Sequence, residues 1–375
     1  MQGVTNDELS AVVLFERRDD PDLRAIAAAI TRELGEGEEP EVPSGAIALP
    51  VTDGAPRLEA ADVAIALDAA SAERARRAGV PRVVVLAPRF ALDGEGPIDA
   101  DLVLVPHEAL VEQAVARGVP AARVHGVGPV APEGFAPADD RAALRARLGP
   151  PPELPWIVVR AAAIEDDPAA ALVQLSLVRR EAVWLFDVAS DVELAHHLRR
   201  RVPGYGIDAF MFADGPDARS AYQAADAVLG RLDGIEIVRA AAVGAALAVL
   251  PPRGDQLRLA DALDGSGTAH VADAAATLAV TLDRLLEPDA LAKARAASSA
   301  LEARGGAERV ARIVRQLVRG ELPAPGASGL PVGLERIGTR DEKGAREPEA
   351  PLPRKDELDR EVDEELAALR RKLGL

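Results

Sequence analysis

Two histidines and one arginine are candidates for a functional site, the histidines as general bases and the arginine as a partner for phosphate. His107 follows the end of a predicted strand, where an imidazole could remove the proton from an acceptor hydroxyl. It could also simply begin the helix predicted at 108–117, and His125 is a second candidate base. Arg160 ends another predicted strand, where its guanidinium could pair with a phosphate or with a local carboxylate such as Asp166.

Spacing argues against other kinds of site. His196 and His197 are adjacent in a predicted helix and point in different directions, so they do not form a metal pair. His270 lies within a predicted strand. The sequence has no cysteine, no carboxylate cluster with metal-site spacing, no G-x-S-x-G turn and no P-loop. We therefore expect neither a metal nor a cofactor.

Composition narrows the class of protein. The 375 residues are enough for two domains, and 48% of them are hydrophobic, so each domain can bury a core. Aromatic residues make up only 3%, so that core must be built mainly from Ala, Val and Leu. The net charge of −17 argues against binding to nucleic acid. No secretory signal and no transmembrane stretch is recognisable, so we expect a cytoplasmic protein.

Alternating strands and helices must position these residues. Short Val, Ile and Leu runs alternate with amphipathic segments, which predicts an α/β fold of parallel strands joined by crossover helices. The predicted strands of the first half are Ala11–Phe15, Ala46–Leu49, Asp62–Leu67, Arg82–Leu86, Leu102–Val105 and Arg123–Val127. Its clearest predicted helices are Pro21–Leu34, Ala69–Ala78 and Glu108–Arg117.

A proline-rich segment separates two such alternations. Seven prolines between Gly126 and Pro155 frame one predicted helix, Asp139–Leu148, and mark an interdomain linker. The predicted strands that follow are Trp156–Arg160, Ala182–Phe186, Ile207–Phe212, Ala227–Leu229, Ala246–Leu250 and Thr268–Val271. Three predicted helices close this half, near Ala274–Leu286, Asp289–Ala303 and Ala307–Arg319. We therefore predict domains at 1–130 and 156–320, joined by a linker at 131–155.

The C-terminal segment has a different character. Residues 321–354 are rich in Pro, Gly, Glu and Arg without periodicity, which predicts a disordered linker. Residues 355–375 predict an amphipathic helix that either docks on a partner or a second copy of the chain, or serves only as a solubilising tail. Its apolar stripe consists of Leu358, Val362, Leu366, Leu369 and Leu373.

Several short motifs, in a fixed order, carry a resemblance to a known family. From Asp99 to Arg319 the sequence resembles glycosyltransferases of the GT-B fold. It is most similar to bacterial diacylglycerol glucosyltransferases and to the N-acetylglucosaminyltransferase that makes the lipid-linked cell-wall precursor. The motifs are Asp99–Val105, Gly118-Val119-Pro120, Gly126–Val130, Phe135-Ala-Pro, Asp140–Gly149, Ala224-Ala225-Asp226, Gly234, Gly244, Pro251, Asp255-Gln256 and Gly267.

The resemblance implies two Rossmann-like parallel-sheet domains that face each other across a cleft. It also implies glycine-rich loops that let backbone amides approach phosphate at helix N-termini. The two corresponding loops here, Glu16–Pro21 and Arg160–Asp167, contain no glycine. Carboxylates in the first of them would repel a diphosphate.

The resemblance also implies a donor site, for which this sequence offers altered residues. The family places a carboxylate in the helix after Gly234 to bind the donor ribose, and that position is Arg239 here. Glu236 could replace it, or could cap the helix. Asp255 and Gln256 could contact sugar hydroxyls, or could cap a helix at 255–263. The candidate residues for binding a UDP- or GDP-sugar are Arg160, Phe212, Gly234, Glu236, Asp255 and Gln256.

Three hypotheses follow from this combination. The first is a GT-B protein that has lost most or all sugar transfer and acts as a binding or scaffold module. The second is an active glycosyltransferase with an atypical donor site. The third is a sugar-phosphate epimerase of the same fold.

Overall fold

The computed structural model describes residues 11–15, 20–35, 47–50, 58, 61–92, 94, 96–189, 191–213 and 215–321. The chain forms two six-stranded sheets in which all assigned strand pairs are parallel. We call the first sheet and its helices the first lobe, and the second sheet and its helices the second lobe. The predicted α/β architecture is confirmed.

The first sheet has the strand order β2-β1-β3-β4-β5-β6. Its strands β3, β4 and β5 are buried at every residue, as expected for parallel strands covered by helices on both faces. The six strands are β1 Ala11–Phe15, β2 Ile47–Pro50, β3 Val63–Ala66, β4 Val83–Leu86, β5 Leu102–Val105 and β6 Val124–Gly126.

The second sheet has the order β12-β11-β10-β7-β8-β9. Its central strands are also buried along their length, whereas β9 at the edge is half exposed. The six strands are β7 Trp156–Arg160, β8 Val183–Asp187, β9 Ala209–Phe212, β10 Ala227–Gly230, β11 Ala246–Val249 and β12 Ala269–Val271.

Twelve α-helices connect or cover these strands within the described ranges. Aspartates at 68, 140, 167 and 191 cap four of them by accepting an amide hydrogen bond from the residue three positions on. The helices are α1 Pro21–Gly35, α2 Ala69–Arg77, α3 Val111–Ala116, α4 Arg141–Leu148, α5 Pro168–Ser176, α6 Val192–Arg201, α7 Pro216–Ala224, α8 Ile235–Val243, α9 Leu257–Gly265, α10 Leu278–Leu285, α11 Pro288–Ser299 and α12 Gly306–Arg319.

The two predicted helices that carry candidate site residues differ in detail from those observed. The helix expected at 108–117 is a 3-10 turn, Glu108–Leu110, followed by α3. The helix expected at 255–263 begins two residues later, after a 3-10 turn at Gly254–Gln256. None of the helices in the described ranges is long and apolar enough to cross a bilayer.

The segment between β6 and β7, which connects the two sheets and which we call the linker, is tied to the second lobe by an ionic cluster. Asp226, which precedes β10, accepts hydrogen bonds from Arg141 and Arg145 of α4 and from the backbone amide of Trp156. The Arg145 guanidinium also lies 5.0 Å from the centre of the Trp156 ring. Since Asp226 and Arg145 are buried and paired with each other, α4 is fixed against the second lobe.

The last described helix returns to the first lobe. α12 packs along α1, and Arg315 near its end donates a hydrogen bond to the carbonyl of Leu34 at 3.2 Å. At its beginning, Arg309 donates to the carbonyl of Val127. α12 follows the second lobe in the sequence, and it therefore contacts the first lobe at both of its ends. The disordered linker expected after residue 321 and the predicted tail helix lie outside the described residues.

Candidate functional site

The topology of each sheet marks one place for a ligand. In doubly wound sheets, ligands bind at the carboxyl ends of the strands where the strand order reverses. That reversal lies between β1 and β3 in the first sheet and between β7 and β10 in the second. Asp22 follows the carboxyl end of β1, and Arg160 is the last residue of β7. We call the region between these two strand ends the cleft.

A bidentate ion pair crosses the cleft. Arg239 of α8 donates through Nε to Asp22 Oδ1 at 2.9 Å and through Nη2 to Oδ2 at 2.6 Å. Both side chains are buried, with exposed fractions of 4% and 8%. Burial raises the pKa of Asp22, and the charge of Arg239 opposes that rise. The resemblance expected a carboxylate at position 239, but here the position holds a cation whose carboxylate partner comes from the other lobe.

Asp187, at the end of β8, joins this pair to the second sheet. Its Oδ2 accepts hydrogen bonds from Arg160 Nη1 at 2.9 Å, from the Tyr222 hydroxyl at 2.9 Å and from Arg239 Nη1 at 3.3 Å. Its Oδ1 accepts from the backbone amide of Ala189. Arg160 thus pairs with a carboxylate, one of its two expected partners, but with Asp187 and not Asp166, because the pairing of β7 with β8 places Asp187 beside it in register.

Asp166 has other partners in the adjoining loops. It pairs with Arg231, which follows β10, and with Arg253, which follows β11. Both arginines are thus engaged at the rim of the cleft.

Aromatic rings enclose the ion pair on the second-lobe side. The Arg239 guanidinium lies 5.0 Å from the ring centre of Phe135 in the linker and 5.3 Å from that of Tyr222 in α7. Tyr222 in turn makes edge-to-face contacts with Phe135 and with Phe212, the last residue of β9. Phe212, a predicted donor contact, therefore packs within this aromatic cluster. These rings exclude water from one face of the cation.

Glu236 fills the N-terminus of α8. Its carboxylate accepts the backbone amide of Arg231 at 3.0 Å, and the residue is 3% exposed. Side chains in place of Gly230 or Gly234 would collide with this carboxylate, so both glycines make room for it. Burial raises the pKa of Glu236, while the amides lower it. A helix N-terminus that could bind an external anion is thus occupied by an internal one.

The remaining donor candidate lies in the turn after β11. Gln256 is buried, and its Oε1 accepts the backbone amide of Arg253 at 3.1 Å. It thus caps the 3-10 turn Gly254–Gln256, whereas α9 receives no side-chain cap. Asp255 lies in the same turn, but its side chain is outside the described part of the structure.

The candidate bases are not gathered around the ion pair. His107 caps the 3-10 turn before α3: its Nδ1 accepts the backbone amide of Ala109 at 3.1 Å. Burial lowers its pKa, which favours the neutral imidazole that this hydrogen bond needs. His125 lies buried within β6, and burial lowers its pKa also. Across the described ranges, no three His, Cys, Asp or Glu side chains are placed to hold a metal.

Three residues that contact Arg239 are missing from the predicted site: Asp22, Asp187 and Tyr222. Asp22 resembles an ordinary acidic residue in the first turn of a helix, so its sequence context gives no signal. Asp187 does carry a signal, because a charged residue directly follows the buried run Val183–Phe186 at the edge where ligands bind.

No protein-family model matches this sequence, and no curated protein sequence does either. Solved structures do match its fold. A glycosyltransferase from Rickettsia africae ESF-5 is 10% identical, with a TM-score of 0.59, over 83% of this chain and 99% of that one. MnaA of S. aureus in complex with UDP is 12% identical, with a TM-score of 0.58, over 84% and 98%.

HepE of Anabaena, in complex with UDP and glucose, is 12% identical, with a TM-score of 0.53, over 84% of this chain and 98% of that one. At such low identity these similarities establish the fold alone. Together with the two facing parallel-sheet lobes, they show that this chain has the GT-B glycosyltransferase-like fold.

Proposed function

We propose that this GT-B protein has lost sugar transfer, or retains little of it, and acts as a binding or scaffold module. The observation that carries the proposal is the Arg239–Asp22 pair, which crosses between the lobes at the place where the topology predicts a ligand. A nucleotide sugar would have to displace two buried, paired charges before it could bind.

The phosphate-binding capacity of the cleft also argues for this proposal. A diphosphate needs free cations or free amides at a helix N-terminus. Arg160 is paired with Asp187, and the N-terminus of α8 receives the Glu236 carboxylate. Each buried hydrogen bond that a donor cannot make costs about 1–3 kcal/mol, and each 1.4 kcal/mol is about tenfold in affinity.

The ribose-binding position argues in the same direction. The family resemblance expects a carboxylate here, which would accept hydrogen bonds from ribose hydroxyls. Arg239 offers only donors, and three of its five N–H groups already bond Asp22 and Asp187. It therefore cannot replace the acceptor that a ribose needs.

Active sugar transfer with an atypical donor site remains the alternative, and one finding favours it. Two proteins of similar fold, MnaA and HepE, were solved in complex with UDP. In this alternative, Arg160 would leave Asp187 and pair with the donor phosphates, while Asp255 and Gln256 would contact the sugar.

Calorimetry decides between the two. We expect no binding heat with UDP, GDP or UDP-glucose at concentrations up to ~1 mM, which corresponds to about −4 kcal/mol. Tighter binding that is abolished by Arg160→Ala, but unaffected by Arg258→Ala at an exposed site, would establish the alternative instead.

The scaffold part of the proposal assigns partner binding to residues 355–375. In this proposal the stripe of Leu358, Val362, Leu366, Leu369 and Leu373 buries itself against a partner or a second copy of the chain. Deleting Asp356–Leu375 should then change the mass measured by light scattering or the set of bound proteins, and leave the melting temperature unaltered. An unchanged mass and partner set would remove this part of the proposal.

A further inference from the structure

The ion pair that crosses the cleft is held rigidly at both of its ends. On the first lobe, Asp22 lies in the first turn of α1, where its amide donates to the Asp20 side chain at 3.0 Å. Asp20 in turn accepts a hydrogen bond from Arg89 at 2.9 Å. The Asp22 carboxylate is therefore positioned by a residue that follows β4 as well as by its own helix.

On the second lobe, the Arg239 guanidinium is fixed from two directions. Asp187 accepts one of its hydrogen bonds, and the rings of Phe135 and Tyr222 lie against it. Phe135 belongs to the linker that connects the lobes, so the segment that must bend for the lobes to separate packs directly on this cation. Moving the lobes apart would disturb the linker contact and the ion pair together.

Separation of the lobes would take Asp22 away from Arg239 and leave Arg239 paired with Asp187 alone. The Arg239 side chain is 4% exposed and that of Asp22 is 8% exposed, so neither charge is solvated in the closed arrangement. Removing one partner from a buried ion pair is strongly unfavourable, because the other charge stays desolvated and unpaired. A small separation that keeps both groups desolvated is therefore strongly unfavourable, and a wider one must hydrate Asp22 and Arg239 in place of their ion pair.

A second ion pair between the lobes has the opposite character. Glu112 of α3 and Arg258 of α9 also pair across the cleft, but their side chains are 70% and 73% exposed. Water and salt screen such a pair, and it contributes little. It serves as a matched control for the buried pair.

We propose that the Arg239–Asp22 pair is an internal latch that holds the two lobes closed in the absence of any ligand. Two-lobed proteins commonly close by hinge motion around a bound ligand, whose contacts to both lobes stabilise the closed state. In this chain, Arg239 makes that bridging contact itself. The latch is a property of the unliganded chain, so it can be tested whether or not a nucleotide binds.

Distance measurements between spin labels test the latch. The chain has no cysteine, so the substitutions Glu73→Cys on α2 and Arg200→Cys on α6 give one exposed labelling site on each lobe. The otherwise unaltered chain should give one narrow distance distribution. Asp22→Asn and Asp22→Ala should broaden it and shift its mean by more than ~2 Å, whereas Glu112→Gln should leave it unchanged.

An unshifted, narrow distribution in either folded Asp22 variant would overturn the latch. So would an equal shift produced by Glu112→Gln, because closure would then not depend on the buried pair. If neither single variant folds, the double variant Asp22→Ala with Arg239→Met removes both charges and decides the matter. That variant must show the broadened distribution for the proposal to stand.

Discussion

Arg239 of the second lobe donates two hydrogen bonds to Asp22 of the first lobe, although the two residues are 217 positions apart in the sequence. Arg239 occupies the position where the family resemblance implies a carboxylate. Asp22 lies beside the loop where the resemblance implies phosphate-binding glycines. A nucleotide would need a phosphate-binding loop without negative charge before α1 and a hydrogen-bond acceptor at position 239. This chain has a carboxylate and a cation there, and the two pair with each other.

The first prediction concerns the energetic coupling of this pair. Arg239→Met should lower the free energy of unfolding by about 3–5 kcal/mol, because Asp22 remains as a buried, unpaired charge. Adding Asp22→Leu removes that charge and should restore part of the loss. Urea denaturation of the wild type, the two single variants and the double variant would give a coupling energy, which we expect to exceed about 1 kcal/mol. Purely additive effects would contradict the pairing.

The second prediction concerns the pH dependence that Glu236 confers. Burial raises the pKa of Glu236 above its ordinary value of 4.5. Because the folded state holds the Glu236 proton more tightly than the unfolded state does, protonation of Glu236 favours folding. This contribution to the free energy of unfolding is complete below pH 4.5 and is lost as the pH rises through the folded-state pKa. Glu236→Gln cannot titrate, and its amide oxygen can still accept the amide of Arg231. The variant should therefore lose less stability than the wild type as the pH rises.

Urea denaturation at pH 4.5 and pH 8 checks this prediction, with Glu73→Gln at an exposed position as the control. Asp22 is present in all three proteins, so its own titration cancels in the comparison. The same pH dependence in all three proteins would show that Glu236 does not carry the effect.

The strands were predictable because their signal is local. Parallel strands covered on both faces are continuous Val, Leu and Ile runs, and β5 and β7 were predicted to the residue. The partner of Arg160 was not predictable in this way. Asp166 is close in sequence, but Asp187 is adjacent in the sheet, and that adjacency follows from the strand order. The Arg239–Asp22 pair depends further on how two separate sheets face each other, which no local pattern encodes.

The third prediction separates two roles for His107. As a helix cap, its Nδ1 must be unprotonated to accept the amide of Ala109. At pH 8, His107→Ala should cost about 1 kcal/mol of stability, while His107→Asn, which also caps helices well, should cost little. Thermal denaturation of the three proteins provides the measurement. Equal losses in both variants would contradict the capping role.

The contribution of His107 to stability should change with pH in a definite direction. Burial lowers the pKa of His107 below its ordinary value of 6.5, so its contribution to stability is present above pH 6.5 and is lost as the pH falls through the folded-state pKa. The gap in stability between the wild type and His107→Ala should therefore be wider at pH 8 than at pH 5. A gap that widens toward low pH would contradict the observed environment of His107.

The last prediction concerns the return of α12 to the first lobe. Replacing glycine by alanine within a helix ordinarily stabilises a protein by about 1 kcal/mol. At Gly306, however, a Cβ atom would overlap the backbone carbonyl of Pro129, which is part of the segment that leads out of β6. Backbone atoms cannot move aside as a flexible side chain can, so Gly306→Ala must push α12 away from that segment. We expect a loss of at least about 2 kcal/mol, typical of overpacking.

The matched control is Gly265→Ala at the end of α9, where an added Cβ meets no atom within 4 Å. Thermal denaturation should show a lowered melting temperature for Gly306→Ala and an unchanged or raised one for Gly265→Ala. If both variants were equally stable, α12 could not lie against Pro129 as closely as described, and the attachment of the lobes through this helix would be looser than the structure shows.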